Sequence, residues 1–528
     1  MHIPTALILP GCYPDPTICR KGDDYYIANS SFGYFPGVPI HHSRDLKNWT
    51  FIGYALNRPS QLPLASAPVG IGGIYAPTLR YHDGRFWLIT TNLSHTKHFI
   101  VHATDPAGPW SEPIRIDDAH QGGIDPDLFW DEDGRVHLCC TRRGAAPADP
   151  HNGIYRFEVD PLTGQGSGGR RFVWSGTGGM CPEGPHLYRR GGFHYLLIAE
   201  GGSGYGHMVT VARSRFLDGP WESCPHNPIL THRSLDTRIQ CLGHADMIEL
   251  HDGQWAIVFL GVRATGARHL GRESFIAPVK WNDEGWPVVQ GEGVMPFEIP
   301  AHPVEWSAEF SPDADLWKIG NSLRNPDAAF YSLSERPGWL RLRGGEGGLD
   351  AGKPAPELMG VQPWDLPGWE ESFGKQVTFW GIRQRHFTMT ARVTLDYHPT
   401  RAGEEAGLTV FMSERCHYKI SVFQENGLRQ AALGKSVLDI DVIGNPVPMS
   451  DGPLILEVIA TPKIYAFFVT DATGTRHALG TGVTHLLSTD VAGGFTGVYL
   501  GPFAVDSQNG KGTPADFAQL TYSATTIL

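Results

Sequence analysis

Residues 15–31 read DPTICRKGDDYYIANSS, and the same phrase returns four more times along the chain. It recurs as APTLRYHDGRFWLITTN from Ala76, DPDLFWDEDGRVHLCCTR from Asp125, EGPHLYRRGGFHYLLIAEGG from Glu183 and HADMIELHDGQWAIVFLG from His244. Each copy opens on a short polar or Pro/Gly-bearing start, passes an aliphatic residue, bends at Asp or Gly and ends in an apolar strand. The starts lie 61, 49, 58 and 61 residues apart, room for about four strands of five to six residues with their turns. Five such units predict a five-bladed β-propeller, whose blades each place their first strand along a central channel. The heads of the repeats, Asp15, Tyr75 with Ala76, Asp125, Glu183 and His244, are therefore expected to converge.

A second phrase marks the outer turns: SRDLKNW ending at Trp49, TDPAGPW ending at Trp110 and SRFLDGPW ending at Trp221. Asp with Gly or Asn makes the bend and Trp packs between neighbouring sheets. Between the two phrases the pattern is alternation, as in YYIANS at 25–30 and FWLITT at 86–91, with no sustained helical period.

The repeat stops after WNDEGWPVVQ. A Pro-bearing stretch, GEGVMPFEIPAHPVEW, reads as a connector, and alternating segments resume at WLRLRG, HFTMTARVTLDY, AGLTVFM, KISVF, LILEVIA and IYAFFVT. These predict a β-sandwich. The expected division is a propeller over 1–300, a linker over 301–320 and a sandwich over 321–528, an all-β chain throughout.

Composition agrees with many short strands: of 528 residues 64 are Gly and 41 Pro, aromatics reach 11% and charged residues only 19%. The net charge of -12 contains no basic run, which argues against nucleic acid as a partner. No segment approaches the ~20 apolar residues that a membrane span needs. The apolar run Thr5 to Pro10 lacks a basic flank and is short for a signal peptide, so a cytoplasmic location is expected. The eight cysteines show neither a C-x-x-C pair nor a disulfide framework and read as buried free thiols.

Three of the repeat heads, Asp15, Asp125 and Glu183, are acids. Cleavage of a glycosidic bond needs one protonated carboxyl to donate to the leaving oxygen and one carboxylate on the other side of the sugar. A third acid nearby can hold up the donor's pKa. Asp-Pro is a common turn opener, but only the pairs at 15 and 125 head a repeat and run straight into an aliphatic strand. Asp127 shares a strand face with Asp125; Asp125 is preferred because it aligns with the other heads.

The motifs GCYPDPTICRKGDDYYIANSSFGYFPGVPIHHSRDLKNW, GGIDPDLFWDEDG, CPEGPHLY followed by IAEGG, and CLGHADMIELHDGQW together resemble glycoside hydrolase family 43, of the β-xylosidase type with a C-terminal sandwich. The resemblance implies Asp15 as general base, Glu183 as general acid and Asp125 as the residue that tunes pKa and orients substrate, in an inverting reaction. It further implies that Arg272 reaches sugar hydroxyls and the orienting aspartate, that His244 lies beneath the sugar, and that Phe32 and Tyr75 wall the pocket. In such relatives the sandwich lends an aromatic side chain to close the pocket, for which Tyr499 is the candidate here. Where β-xylosidases carry a W-A-P-D motif this chain has Tyr75 and Thr78, so an α-L-arabinofuranosidase is the rival to an exo-β-xylosidase.

The expected partner is a xylooligosaccharide or an arabinoxylan-derived oligosaccharide. A non-catalytic sugar-binding propeller is the alternative from another class, disfavoured by the presence of all three acids. No organic cofactor motif appears. The resemblance leaves room for a divalent cation such as calcium near His244, and homo-oligomerisation stays open.

Overall fold

The computed structural model describes residues 2–65, 67–142, 152–264, 267–290, 304–353, 375–508 and 510–524. Five antiparallel sheets are arranged in chain order, and each starts at one of the repeats. Their innermost strands are Thr17–Lys21, Thr78–His82, Ile124–Trp130, Glu183–Arg190 and Ile239–Glu249. The turn within each repeat is the hairpin to the second strand, as in Thr17 opposite Ala28 and Lys21 opposite Asp24.

The ring is closed by the N-terminal strand Ala6–Leu9, which pairs with Glu273–Trp281 and completes the fifth blade. Closure by pairing the two ends of the propeller gives the last sheet an outer strand that the 244 repeat does not itself encode. Neighbouring blades bury continuous apolar layers, for example Leu7, Leu197, Val211, Ile257 and Phe275. Of the outer-turn tryptophans, Trp110 is fully packed, while Trp49 and Trp221 are half-buried against the blade cores. All eight cysteines are free thiols, and only Cys181 is more than marginally exposed.

The C-terminal half forms two eight-stranded sheets that enclose one apolar core, with Val393, Leu408, Ile420, Leu456, Phe467 and Phe517 among its residues. Each segment singled out by alternation supplies a strand: Leu340–Leu342, Met389–Asp396, Glu404–Ser413, Cys416–Glu425, Leu454–Ala460 and Ile464–Thr470. Of the stretch read as a linker, residues 301–303 lie outside the described residues. Val304–Ala308 pairs with the last strand, Ala515–Ala524, and Phe310 and Leu316 enter the sandwich core. In the described residues after 303, that stretch therefore belongs to the sandwich. Among the described residues no helix is long and apolar enough to cross a membrane.

The two halves are stitched together. Ser322–Leu323 pairs with Tyr34–Phe35 as a two-stranded ribbon. Arg383 donates to the Cys12 carbonyl at 2.8 Å and lies over the Tyr13 ring. Arg324 and the Val69 amide both bind the Glu414 carboxylate, a buried charge that would be costly without these donors. Through these contacts the sandwich reaches the propeller face on which the repeat heads stand.

Candidate active site

The heads of the innermost strands share an unusual backbone. Asp15, Asp125 and His244 have φ of 52°, 55° and 45°, and in the fourth blade Gly184, next to Glu183, has φ of 59°. Left-handed backbone at a non-glycine residue costs about 1–3 kcal/mol and persists only where the surroundings hold it. Register shifts accompany it: Ile124 to Asp127 faces Thr141 to Cys139, and Glu183 to His186 faces Ala199 to Leu197, one extra residue in each case. These bulges re-aim the side chains at the strand ends.

What holds Asp15 is legible in its partner strand. The Asn29 amide donates to the carbonyls of both Tyr13 and Pro14, fixing the turn, and the Ser30 hydroxyl donates to Asp15 Oδ2 at 2.5 Å. In the third blade Gly123 packs so closely on the Thr141 carbonyl that a Cβ would lie 1.8 Å from its oxygen. For Glu183 the support is Glu200 of the IAEGG segment. Its carboxylate accepts from the amides of Thr177 and Gly179 and from the hydroxyls of Thr177 and Thr210, pinning the loop that leads into Glu183.

Asp15, Asp125 and Glu183 are all buried, as are His244 and Arg272. Arg272 forms a two-pronged ion pair with Asp15, Nη1 to Oδ1 at 2.6 Å and Nη2 to Oδ2 at 3.3 Å. His244 Nδ1 faces the same Oδ1 at 3.6 Å. Arg272 is brought to Asp15 where Glu273–Trp281 and the Tyr13 turn meet and Tyr13 N–H donates to the Arg272 carbonyl. Burial pushes the Asp15 carboxyl up, and the guanidinium, His244 and the Ser30 hydroxyl outweigh it, so its pKa is lowered. Burial brings His244 down to about 4, with Arg272 and His186 adding to the effect against the pull of Asp15. It is a neutral imidazole at neutral pH.

Beside this ion pair stands an aromatic wall. Phe32 and Tyr75 meet edge to face at 5.4 Å, and Phe495 from the sandwich stacks on Phe32 at 5.8 Å and approaches Tyr75 at 6.0 Å. Arg272 lies over both Phe32 and Phe495 and donates to the Phe495 carbonyl. Tyr499 is not part of this wall. It begins the strand Tyr499–Asp506 and is buried in a stack on Tyr34 at 3.9 Å, because the strand points its ring into the interface core. Phe495, four residues earlier in the same GGFTGVYLG segment, sits in the loop before that strand and is free to reach the propeller. Only the aromatic character of that loop signalled it in the sequence.

One level below the heads, the channel is filled. Arg80 Nη1 binds Asp246 at 2.7 Å, and Arg80 Nη2 binds Asp127 at 2.8 Å and His186 Nδ1 at 3.0 Å. Thr17 Oγ1 donates to Asp246 at 2.7 Å. Asp127 is thus engaged in an ion pair at this lower level, and Asp125 lies two residues before it on the same strand. The Arg80 guanidinium occupies the level beneath the heads, and among the described residues no three His, Cys, Asp or Glu side chains group as metal ligands.

Comparison with known proteins agrees with this architecture. Residues 5–287 match the model of glycosyl hydrolases family 43, and residues 309–523 match the β-xylosidase C-terminal concanavalin A-like domain. A non-reducing end α-L-arabinofuranosidase of Bacteroides ovatus is 38% identical, over 97% of this chain and 93% of that protein. A xylosidase/arabinosidase of Butyrivibrio fibrisolvens is 36% identical over 99% of each chain. The crystal structure of a xylan β-1,4-xylosidase from Bacillus halodurans superposes with a TM-score of 0.87 at 31% identity, covering 99% of this chain and 100% of that one. The chain belongs to glycosyl hydrolase family 43, a glycosidase of the xylosidase/arabinosidase type built as a five-bladed propeller with a concanavalin A-like sandwich.

Proposed function

We propose that this glycosidase is exo-acting and inverting, and that it releases terminal xylose from β-1,4-xylooligosaccharides. The observation that carries the reading is the Asp15 carboxylate, kept ionised by Arg272 and Ser30 beside an aromatic wall to which both domains contribute. A wall closed by the sandwich favours a pocket for one terminal sugar over an open cleft for internal cleavage.

In this mechanism Asp15 takes a proton from water as the water oxygen bonds to the anomeric carbon. The glycosidic C–O bond breaks on the opposite side, and Glu183 gives its proton to the departing oxygen. Asp15 Oδ2 accepts from both Ser30 and Arg272, whereas Oδ1 accepts from Arg272 Nη1 alone, so one acceptor site remains on Oδ1, where the attacking water is placed. Asp125 orients the sugar and sustains the protonated state of Glu183 by its negative charge. Solvent then takes the proton from Asp15 and supplies one to Glu183, restoring both acids. An inverting reaction requires about 6.5–9.5 Å between the two carboxyl groups, leaving room for the water.

The same acids would serve an α-L-arabinofuranoside, and two observations favour that second reading. The Bacteroides ovatus relative bears that name, and Tyr75 and Thr78 replace the Trp and Asp of the W-A-P-D motif. Hydrolysis rates on 4-nitrophenyl β-D-xyloside and 4-nitrophenyl α-L-arabinofuranoside rank the two. The first reading requires the xyloside to be turned over faster, and negligible xyloside turnover would overturn it.

A further inference from the structure

The charged layer beneath the catalytic heads does more than fill space. Each seam between neighbouring innermost strands is crossed there by a side chain. Thr17 Oγ1 of the first blade accepts from the Leu79 amide of the second at 3.1 Å. Asp127 of the third accepts from the Leu187 amide of the fourth at 3.0 Å. Tyr188 of the fourth accepts from the Met247 amide of the fifth at 2.8 Å and donates to Asp246 at 2.6 Å. Asp246 of the fifth accepts from the Ile18 amide of the first at 3.0 Å. The remaining seam, between the second and third blades, is crossed by Arg80 and Asp127.

Arg80 also joins the other links into one network. It touches Thr17, Asp127, His186 and Asp246, one residue from each of the other four blades. Three of those partners follow closely on a head: Thr17 after Asp15, Asp127 after Asp125 and His186 after Glu183. Asp246 stands in the same relation to His244. Asp15, Asp125 and His244 are in strained backbone that their surroundings must hold, and this ring lies directly beneath them. An ordinary buried ion pair joins two elements, whereas Arg80 ties the five strands that carry the reacting groups.

We propose that Arg80 is the positioning residue of the acid and base, holding the innermost strands in register so that Asp15, Asp125 and Glu183 keep their relative heights. It does not touch substrate. Its fork is required as well as its charge, since one ammonium cannot reach Asp127, Asp246 and His186 together.

The inference rests on the glycosidase reading of the site, and its test separates the two. Steady-state kinetics of the full chain are measured on whichever of the two 4-nitrophenyl pentosides the wild type cleaves. Arg80→Met and Arg80→Lys should each lower kcat by about a hundredfold, the effect of misplacing reacting groups by about 1 Å, with KM changed less than threefold. Tyr188→Phe leaves every charge in place and opens one seam; a kcat loss of about tenfold is expected, again without a matching change in KM. Arg156→Met is the control, because Arg156 is a buried arginine paired with Asp218 and His137 away from the channel, and its kcat should stay at the wild-type value. Should Arg80→Met fail to fold, Tyr188→Phe decides. Wild-type kcat in Tyr188→Phe, or in folded Arg80→Met, would overturn the inference. A wild-type chain inert on both pentosides would overturn the reading of the site, and the inference with it.

Discussion

Two adjacent levels of one channel are built from the same five strands and do opposite things with their charge. At the upper level Asp15, Asp125, Glu183 and His244 stand on bulged or left-handed backbone. At the lower level Thr17, Asp127, His186 and Asp246 sit in regular strand, and Arg80 compensates both carboxylates. The difference shows how a repeat fold separates chemistry from cohesion: a step of two or three residues along one strand passes from a group that must react to one that must not.

Substitutions at the two levels should therefore fail differently. The largest effect is expected at the top. Glu183→Ala should cost at least 10²–10⁴-fold in kcat, about the worth of a general acid, while denaturant unfolding stays near the wild type. Full activity in that variant would rule out the assigned acid. At the lower level Asp127→Asn breaks a buried ion pair and should cost about 3–5 kcal/mol of stability in a denaturant titration. A fully stable Asp127→Asn would dissolve the contrast between the levels.

The next effect concerns Asp15. Its carboxyl faces Arg272, His244 and Ser30, and its pKa is lowered although burial acts the other way. Removing the cation leaves burial in command, so the pKa rises. A general base must be ionised, and Arg272→Met should therefore move the acid limb of kcat/KM to higher pH by about one to three units. The matching stability term has the same sign: ionised Asp15 contributes above its unfolded pKa, and the contribution is lost as pH falls through the lowered folded value. An acid limb unmoved in Arg272→Met would show that Asp15 is not the titrating base.

The smallest effects sort the two aromatic residues of one sandwich segment. Phe495→Ala should raise KM about three- to tenfold through lost ring contact, with kcat little changed. Tyr499→Phe should leave KM where it was, since the ring stays in its stack on Tyr34. The reverse outcome would return Tyr499 to the pocket.

Much of this is legible in the sequence. The five repeats marked the five innermost strands because hairpin turns and alternation are local features, set within some twenty residues. Asp15 meets His244, and a Cβ on Gly184 beside Glu183 would touch the His244 ring, because a propeller sets its first strands around one channel. What could not be read depended on distance across the ring. Arg80 looked like one polar position in APTLRYHDG, and nothing local revealed that it meets residues from four other blades. The pairing of Arg272 with Asp15 depends on how the fifth blade's third strand meets the Tyr13 turn, a contact between residues far apart in the chain. Tyr499 and Phe495 lie in the same short segment, and strand geometry alone decided which ring turns inward to the core.

Inversion requires Asp15 to activate a water while Glu183 protonates the leaving oxygen. That pairing fixes the stereochemistry of the product, which proton NMR reads from the first sugar formed, before mutarotation. With a β-xyloside as substrate, α-xylose must appear first and decay toward equilibrium. Initial release of β-xylose would mean retention through a covalent intermediate and would contradict the assigned roles of both acids.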